Sequence, residues 1–306
     1  MDKPIVSLCL PTNGIAEWVF PVLDSIYNQG VSASLYEVIV TDNGDNEIFY
    51  KLMIEYASHH DNLIYKKTGA YMFDNQLEAL KIASGLFFKF INHREVIVAG
   101  ALEKIINIIE ENKVHKPVIY FSNGSLEQDF YILNTFDAFI KTLRRYASWT
   151  SGVGIWKDDY EKIPKNRKVD RISPHSGILF SERKKTCYVI DNFVFSREIT
   201  SDHTKKGVYD LFKAFGIEEF AITLNLFIDG DISIDTLKYV KKDYKRFVSE
   251  LYWCFCIRKR PCSYDLTGFE DAMGIFFKKS DIIVNAYFIG LKKFLRKIKS
   301  IVLARK

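Results

Sequence analysis

Between residues 5 and 121, short apolar runs alternate with helical patterns, and that alternation narrows the possible folds more than any other feature of the chain. Ile5-Val6-Ser7-Leu8-Cys9-Leu10 is a β-rich run closed by Pro11-Thr12-Asn13-Gly14, so it reads as a buried strand ending in a loop. From Ala16 to Asn28 the apolar residues Val19, Val22, Leu23, Ile26 and Tyr27 recur at helical spacing, and Gly30 follows as a C-cap. The alternation continues with a strand at Tyr36–Thr41 stopped by Asp42-Asn43-Gly44-Asp45, a helix at 48–57 and a strand at 62–65. Then come a helix at 74–84, a strand at 86–91, a helix at 100–111 and a strand at 118–121. Strands separated by helices form a parallel sheet with right-handed crossovers, and ligands of such sheets bind beyond the carboxyl ends of the strands. The loops that bear on function are therefore 11–14, 42–45 and 92–95. After residue 130 the pattern is more helical and less regular, with Thr186–Ile190 as one further clear strand.

Composition excludes several classes. With 306 residues, 48% of them apolar, the chain can bury a sizeable core, which removes disorder and disulfide-stapled miniproteins from consideration. The net charge of +5 conceals an asymmetry: residues 241–306 hold 16 Lys/Arg against 6 Asp/Glu, whereas residues 1–240 hold 27 against 32. The main body thus lacks the basic face that nucleic acid requires, and no nucleic-acid partner is expected. The basic tail suits an anionic membrane surface instead. Five cysteines (Cys9, Cys187, Cys254, Cys256, Cys262) without framework spacing fit a reducing compartment, and three of them with no histidine after His203 make a poor zinc site. The N-terminus has neither a basic n-region nor a small-residue cleavage site, and no stretch reaches the ~18 apolar residues of a membrane span. A cytoplasmic protein, peripheral on the inner face of the cell membrane, is the expectation. No Gly-x-Gly-x-x-Gly follows the first strand and no Gly-Lys-Ser/Thr phosphate loop occurs, so dinucleotide oxidoreductases and P-loop enzymes have no support.

The run Ile5 to Asn13, the helix containing Leu23-x-Ser25-Ile26-x-Asn28-Gln29, and Glu37-Val38-Ile39-Val40-Thr41-Asp42-Asn43-Gly44 together resemble the opening of the inverting family-2 glycosyltransferases. The resemblance continues through Asn75-Gln76-x-x-Ala79-Leu80-x-x-Ala83-x-Gly85 and into Gly100-Ala101-Leu102, covering residues 4–110. It implies an α/β GT-A-like fold, a mostly parallel sheet flanked by helices, with a C-terminal helical extension. It also implies a nucleotide-sugar donor, UDP-type favoured. By resemblance Pro11, Thr12 and Asn13 line the base pocket, with Asn43 and Asn75 beside it, and Asp42 accepts hydrogen bonds from uracil or ribose. Asp42-Asn43-Gly44 also has a plain structural reading as a turn.

The departure comes at the fourth strand. Where the family carries an Asp-x-Asp motif that binds Mg²⁺ or Mn²⁺, this chain reads Phe88-Lys89-Phe90-Ile91-Asn92-His93-Arg94-Glu95, with Asn92 and Arg94 in place of the two carboxylates. Arginine cannot hold a cation but can grip phosphate oxygens bidentately, so Arg94, aided by His93, is expected to neutralise the leaving diphosphate without a metal. A retained Mg²⁺ or Mn²⁺ site using His93 and Glu95, or a fold that has lost activity, are the other readings. An inverting transfer also needs a base for the acceptor hydroxyl. The family's acid at the start of a helix before a late strand falls at His175, in Pro174-His175-Ser176-Gly177, with Asp158 and Asp159 as rivals. His175 as a helix cap, and the two acids as a solvated charge run, are equally consistent with the pattern. Ser151-Gly152-Val153-Gly154-Ile155-Trp156 resembles the segment before the acceptor site: Gly152 would let a sugar approach and Trp156 would stack on it, or Trp156 is core.

From Asp281 to Lys306, Ile283, Tyr287, Leu291, Phe294, Ile298 and Ile301 recur every three or four positions, and Lys292, Lys293, Arg296, Lys297 and Lys299 fall mainly elsewhere. That pattern describes a helix lying in an anionic interface through residues 282–306, or one docked on the protein with a solvated basic face. The domains expected are 1–240, GT-A-like, and 241–306, basic and helical. The function expected is transfer of a hexosyl or N-acetylhexosaminyl group to a polyisoprenoid-linked glycan in surface polysaccharide synthesis, O-antigen or capsule. The alternative is a non-catalytic nucleotide-sugar or glycan-binding scaffold.

Overall fold

A computed structural model describes residues 3–165, 170–199 and 202–303. The chain divides into two compact units, Met1–Thr200 and Ser201–Lys306, so the boundary lies well before residue 240, where the expected domains met. Residue 240 falls inside an unbroken helix of the second unit, Ile234–Leu251.

In the first unit the order is β1 (Val6–Thr12), α1 (Ala16–Tyr27), β2 (Tyr36–Asp42), α2 (Glu47–Ser58), β3 (Leu63–Lys67), α3 (Asn75–Ile82), β4 (Phe87–Phe90), β5 (Glu95–Ile97), α4 (Ala101–Asn112) and β6 (Val118–Phe121). Then follow β7 (Phe130–Leu133), α5 (Phe136–Leu143), β8 (Gly154–Trp156), α6 (Lys157–Glu161), α7 (Pro174–Ser181), β9 (Tyr188–Asp191) and β10 (Ser196–Glu198). Every strand and helix expected up to residue 121 is present, within a few residues. The central sheet has the order β3-β2-β1-β4-β8, parallel except for β8, which runs antiparallel to β4. A second sheet, β6-β9-β7, reaches the first through a bridge between Tyr120 and Val153, and β5 pairs with β10 in an antiparallel ribbon.

The sheet forms as it does because β1, β2 and β4 are apolar on both faces, as strands covered by helices on both sides must be. Pro11 is tolerated in the central strand because β4 pairs with β1 only as far as Cys9, so no neighbour on that edge needs its missing N–H. At the amino edge the buried Glu37 carboxylate binds together Ser7 Oγ (2.5 Å), Ser84 N (2.6 Å) and Gly85 N (3.2 Å), fixing the turn into β4. One side of the sheet packs on α1 and α4 through Val19, Val22, Leu23, Ile26, Leu102 and Ile105.

The second unit contains α8 (Leu211–Lys213), α9 (Glu219–Ile228), α10 (Ile234–Leu251), α11 (Phe269–Ala272) and α12 (Lys279–Leu303), with π-helical turns at 214–218 and 252–257. Helix α12 docks by its first half only. Ile282 and Ala286 are buried, Lys245 of α10 pairs with Asp281 at 2.6 Å, and Gly290 lies so close to the Trp253 ring that an added Cβ would meet it at 2.4 Å. From Leu291 to Ser300 every residue is exposed. Val284, Tyr287, Phe288, Leu291, Phe294, Leu295 and Ile298 make an exposed apolar stripe at helical spacing. Residues 304–306 of the expected helix lie outside the described residues. Among those described, no helix is long and apolar enough to cross a membrane.

One buried group makes stability depend on pH. Glu182, at the end of α7, is buried in the wall of a cavity of about 320 Å³ shared with Asp159, Lys162, Ser181, Lys184 and Lys185. Burial, and secondarily the Asp159 charge, push its pKa from 4.5 up to about 8. The folded protein therefore holds a proton that the unfolded chain releases, and the stability this contributes is present below pH 4.5 and lost as pH rises toward 8. Glu182→Gln is expected to raise the melting temperature relative to wild type at pH 8–9, with the difference vanishing near pH 4.5 in parallel thermal melts.

Candidate active site at the carboxyl edge of the sheet

Three loops converge past the carboxyl ends of β1, β2 and β4, and side-chain amides hold them there. Asn75, the first residue of α3, donates from Nδ2 to Thr12 O (3.0 Å) and Thr41 O (2.8 Å), while its Oδ1 accepts from Thr68 Oγ1 (2.8 Å). It ties the ends of β1 and β2 together, adding to the Asn43 N–H that Thr12 O already accepts (3.2 Å). Asn43 donates from Nδ2 to Ala70 O and Met72 O, both at 2.9 Å. Gly44 packs against the Asn13 backbone so closely that a Cβ would sit 2.0 Å from Asn13 O, so only glycine lets the first two loops meet.

Asp42 is braced rather than presented. It is wholly buried; Oδ1 accepts from Gly44 N (2.8 Å) and Oδ2 from Tyr65 Oη (2.8 Å) and Lys67 Nζ (3.1 Å). The turn reading of Asp42-Asn43-Gly44 thus describes this geometry. Asn13 is exposed at this rim, and the half-exposed Lys67 ammonium there also donates to Gly44 O.

The third loop carries the Asn-His-Arg sequence. Asn92 Oδ1 accepts from Arg94 N (3.1 Å), an Asx turn that shapes the loop. His93 Nδ1 and Thr12 Oγ1 are 2.8 Å apart, and the His93 ring meets Trp18 edge-on at 5.3 Å. Burial, with the Arg94 charge beside it, lowers the His93 pKa to about 3, so this ring is neutral and adds no charge to that of Arg94. The Arg94 guanidinium lies 5.6 Å from the Trp18 ring centre and 4.0 Å from Glu198 Oε1, and its Nε has no hydrogen-bond partner.

This loop does not fit a divalent cation. A GT-A metal needs carboxylate oxygens converging on one point. Here Asn92 spends its oxygen on the loop backbone, Arg94 repels a cation, and Glu95 faces inward to Trp149 Nε1 (3.3 Å) and Ser196 Oγ (3.1 Å). Among the described residues no cluster of three His, Cys, Asp or Glu is placed to hold a metal.

Beneath the loop lies a charge the pattern did not single out. Lys89 of β4 is wholly buried, its Nζ donates to Ser151 O, and it sits 4.5 and 4.4 Å from the ring centres of Phe121 and Phe195. Burial lowers its pKa to about 7, with the Glu95 charge partly offsetting the effect. A lysine between two phenylalanines in a buried strand was a readable anomaly.

His175 occupies the N-terminal turn of α7, but not as a group poised to accept a proton. Nε2 donates to Ser148 O (2.7 Å), and Nδ1 of the ring, neutral because burial lowers the pKa to about 4, accepts from the Gln76 side-chain amide, 2.9 Å away. Both ring nitrogens are engaged, so His175 ties α7 to α3 and to the 148–152 segment instead of capping the helix or packing on Trp156. The acid nearest ahead of this helix is Asp170, four residues before Pro174, whose Oδ1 accepts from Ile172 N (2.9 Å) and Ser173 N (3.0 Å) in an Asx turn leading into α7.

Four expected site residues lie elsewhere. α6 follows β8, which runs antiparallel to β4, so Asp158 and Asp159 emerge at the amino edge, where Lys157 N donates to Leu86 O. About 20 Å of strand separates that point from Asn92. There Asp158 pairs with Lys116, and Asp159 with Lys185 (2.6 Å) and Lys162 (2.9 Å), an ordinary charge network. Trp156 is core: it is wholly buried, its Nε1 donates to Pro117 O (2.7 Å) and its ring meets Phe87 edge-on. Gly152 makes room for the Tyr120 ring, 2.2 Å from a would-be Cβ, and not for a sugar.

No protein-family model and no curated protein matches the sequence. Among solved structures, the 1–349 fragment of S. aureus TarS in complex with UDP-GlcNAc aligns with a TM-score of 0.53 at 13% identity, over 90% of this chain and 80% of that one. A longer S. aureus TarS structure aligns at 0.51 and 14%, over 82% of this chain but only 44% of its own length. The mannosyltransferase PcManGT from Pyrobaculum calidifontis, in complex with GDP-Man and Mn²⁺, aligns at 0.50 and 16%, over 73% of this chain and 65% of that one. The fold is GT-A-like: a parallel-rich central sheet between helices, with a helical C-terminal part.

Because burial keeps both His93 and His175 neutral, neither imidazole is expected to titrate between pH 5 and 8 in histidine-labelled NMR spectra. His175→Ala is expected to lower unfolding free energy by about 1–3 kcal/mol in urea titrations, the cost of stranding a buried polar partner.

Proposed function

We propose that the protein is a glycosyltransferase that moves a sugar from a nucleotide-sugar donor to a glycan acceptor, with Arg94 meeting the charge of the leaving diphosphate in place of a metal ion. The observation that carries this reading is Arg94 itself. It stands at the carboxyl edge of a GT-A-like sheet, beside Trp18, with Glu198 Oε1 4.0 Å from an Nε that has no hydrogen-bond partner among the described residues. A guanidinium offers five N–H donors in a planar fork matched to phosphate oxygens. Asn13 and Lys67 at the same rim suit the nucleoside and phosphate parts of such a donor. UDP is the favoured nucleotide, supported by the TarS complexes with UDP and UDP-GlcNAc; PcManGT, which binds GDP-Man, keeps guanosine donors in the comparison. The sugar is a hexose or N-acetylhexosamine.

Inversion follows from a single displacement. The acceptor hydroxyl attacks the anomeric carbon as the sugar–phosphate bond breaks, its proton passes to a base, and the nucleoside diphosphate leaves against Arg94. Asp170 is the base in this scheme. Its Oδ1 is occupied by Ile172 and Ser173, which orients the carboxylate and leaves Oδ2 for the hydroxyl. His175, fixed between Gln76 and Ser148, holds the helix start in register with Asn75 and the donor loops. The acceptor is a polyisoprenoid-linked glycan, as in surface polysaccharide synthesis, reached at the inner face of the membrane. The apolar stripe of α12, with Lys292, Lys293, Arg296, Lys297 and Lys299 around it, supports docking on anionic lipid.

Calorimetry with UDP, and turnover assays with UDP-GlcNAc in EDTA, test the reading together. Wild type is expected to bind UDP and to turn over without metal. Arg94→Ala should lower turnover about 10²–10³-fold and Arg94→Lys recover part of it, whereas Asp170→Asn should cost about 10²–10⁴-fold in turnover with UDP affinity intact. Binding without turnover would make the protein a scaffold, and loss of activity in EDTA with rescue by Mn²⁺ would overturn the arginine assignment.

The intact chain should sediment with phosphatidylglycerol vesicles at low salt and detach as salt rises, since each interfacial cation contributes about 1 kcal/mol and is screened. Phe294→Glu with Ile298→Glu should abolish sedimentation. Self-association of the intact chain without vesicle binding would assign the stripe to a second copy.

A further inference from the structure

Lys89 is a costly residue for a core strand. Removing an ammonium from water costs several kcal/mol unless its partners compensate, and an apolar side chain of similar volume would fill the same space without that penalty. Its neighbours indicate what the charge does. The Ser151 carbonyl accepts from Nζ, and the Ser151 hydroxyl accepts from Asn92 N (3.1 Å) and donates to the Glu95 carboxylate. Glu95 in turn holds the Trp149 indole and Ser196. The Phe121 and Phe195 rings close over the ammonium, so water does not compete for it. Ser151 is thus a node that binds the loop 92–95, the segment 148–152 and strand β4 to one another.

We infer that Lys89 is a positioning residue: through Ser151 and Glu95 it locks the Arg94-bearing loop to the 148–152 segment, fixing where the guanidinium and the Trp149 indole stand before any ligand arrives. This rests on the proposed function for its consequence, though not for its geometry. Within the lock, Glu95 is the one carboxylate of the loop, turned inward to Trp149 and Ser196 and attracted by the Lys89 charge. The carboxylate that approaches Arg94 is instead Glu198 of β10, with Oε1 4.0 Å from Nε.

Lys89→Met separates this role from a merely structural one. The variant is expected to melt at or above the wild-type temperature, since a buried charge has been replaced by an apolar isostere. Hydrogen exchange of the full chain should nevertheless accelerate at least tenfold in peptides covering 90–96 and 148–153, while β2 and α1 remain as protected as before. UDP affinity should fall about tenfold. Unchanged exchange in both segments overturns the inference. If Lys89→Met does not fold, Ser151→Ala removes the shared hydroxyl and leaves the lysine in place; faster exchange confined to 90–96 supports the lock, and unchanged exchange refutes it. If wild type fails to bind UDP, the functional proposal falls, while the exchange result still decides the role of Lys89.

Discussion

Strand β1 is hydrogen-bonded to β2 along one edge and β4 along the other, and it is buried on both faces. A strand enclosed in that way has nowhere to present chemistry except past its ends. At the carboxyl end of a parallel sheet the strand carbonyls emerge without a next partner, and a buried carbonyl left alone is costly. Backbone N–H groups of Asn43 and Thr68 take the carbonyls of Thr12 and Asp42, and side-chain amides add to them: Asn75 bonds the carbonyls of Thr12 and Thr41, and Asn43 those of Ala70 and Met72 in the loop after β3. The loops are therefore rigid because of where their hydrogen bonds go, and the side chains they carry are fixed with them.

That rigidity decides the division of labour among the polar residues. Asp42, Asn43, Asn75, Asn92, His93 and His175 all lie at or next to the site, yet each has hydrogen-bonding groups committed to other parts of the protein. They are the frame. What remains at the rim is Asn13, and Arg94 with Glu198 Oε1 4.0 Å from its Nε. Carboxylates are kept occupied, Asp42 by Lys67 and Tyr65, and Glu95 by Trp149, Ser196 and the field of Lys89. An arginine at the position of a carboxylate is the electrostatic opposite of a carboxylate pair that holds a metal.

The first half of the fold was legible because β1, β2, β3, β4 and β6 are apolar runs with clear stops, and the helices between them carry a 3.6-residue period. The ribbon β5–β10 and strand β8 were not, because three residues are too few to show a period. Missing β8 had a consequence for the site. Its antiparallel course carries Trp156, Asp158 and Asp159 to the amino edge, and nothing in the local composition of Trp156-Lys157-Asp158-Asp159 records that reversal. His175 does lie in the first turn of a helix, packed against α3. The partners that engage its ring, Gln76 and the Ser148 carbonyl, were not legible because they are distant in sequence. Lys89 was visible as a charge inside an apolar run, but its meaning depends on Ser151 and Phe195, which only the fold brings near.

Helix α12 poses the remaining physical question, because its two halves obey different rules. Up to Gly290 it is held by α10 and the 252–257 turn, with small residues where the backbones approach. Beyond Leu291 it has about three turns without packing, and an isolated helix shorter than about 12–15 residues is marginal in water. Such a segment gains stability chiefly by burying an apolar face, and here that face is continuous with the stripe that begins at Val284 in the docked half. A soluble partner groove would have to match a surface that is aromatic and aliphatic on one side and bears five cations nearby. An anionic lipid interface meets both demands with no shape requirement, since the acyl region takes the stripe and the headgroups take the charges.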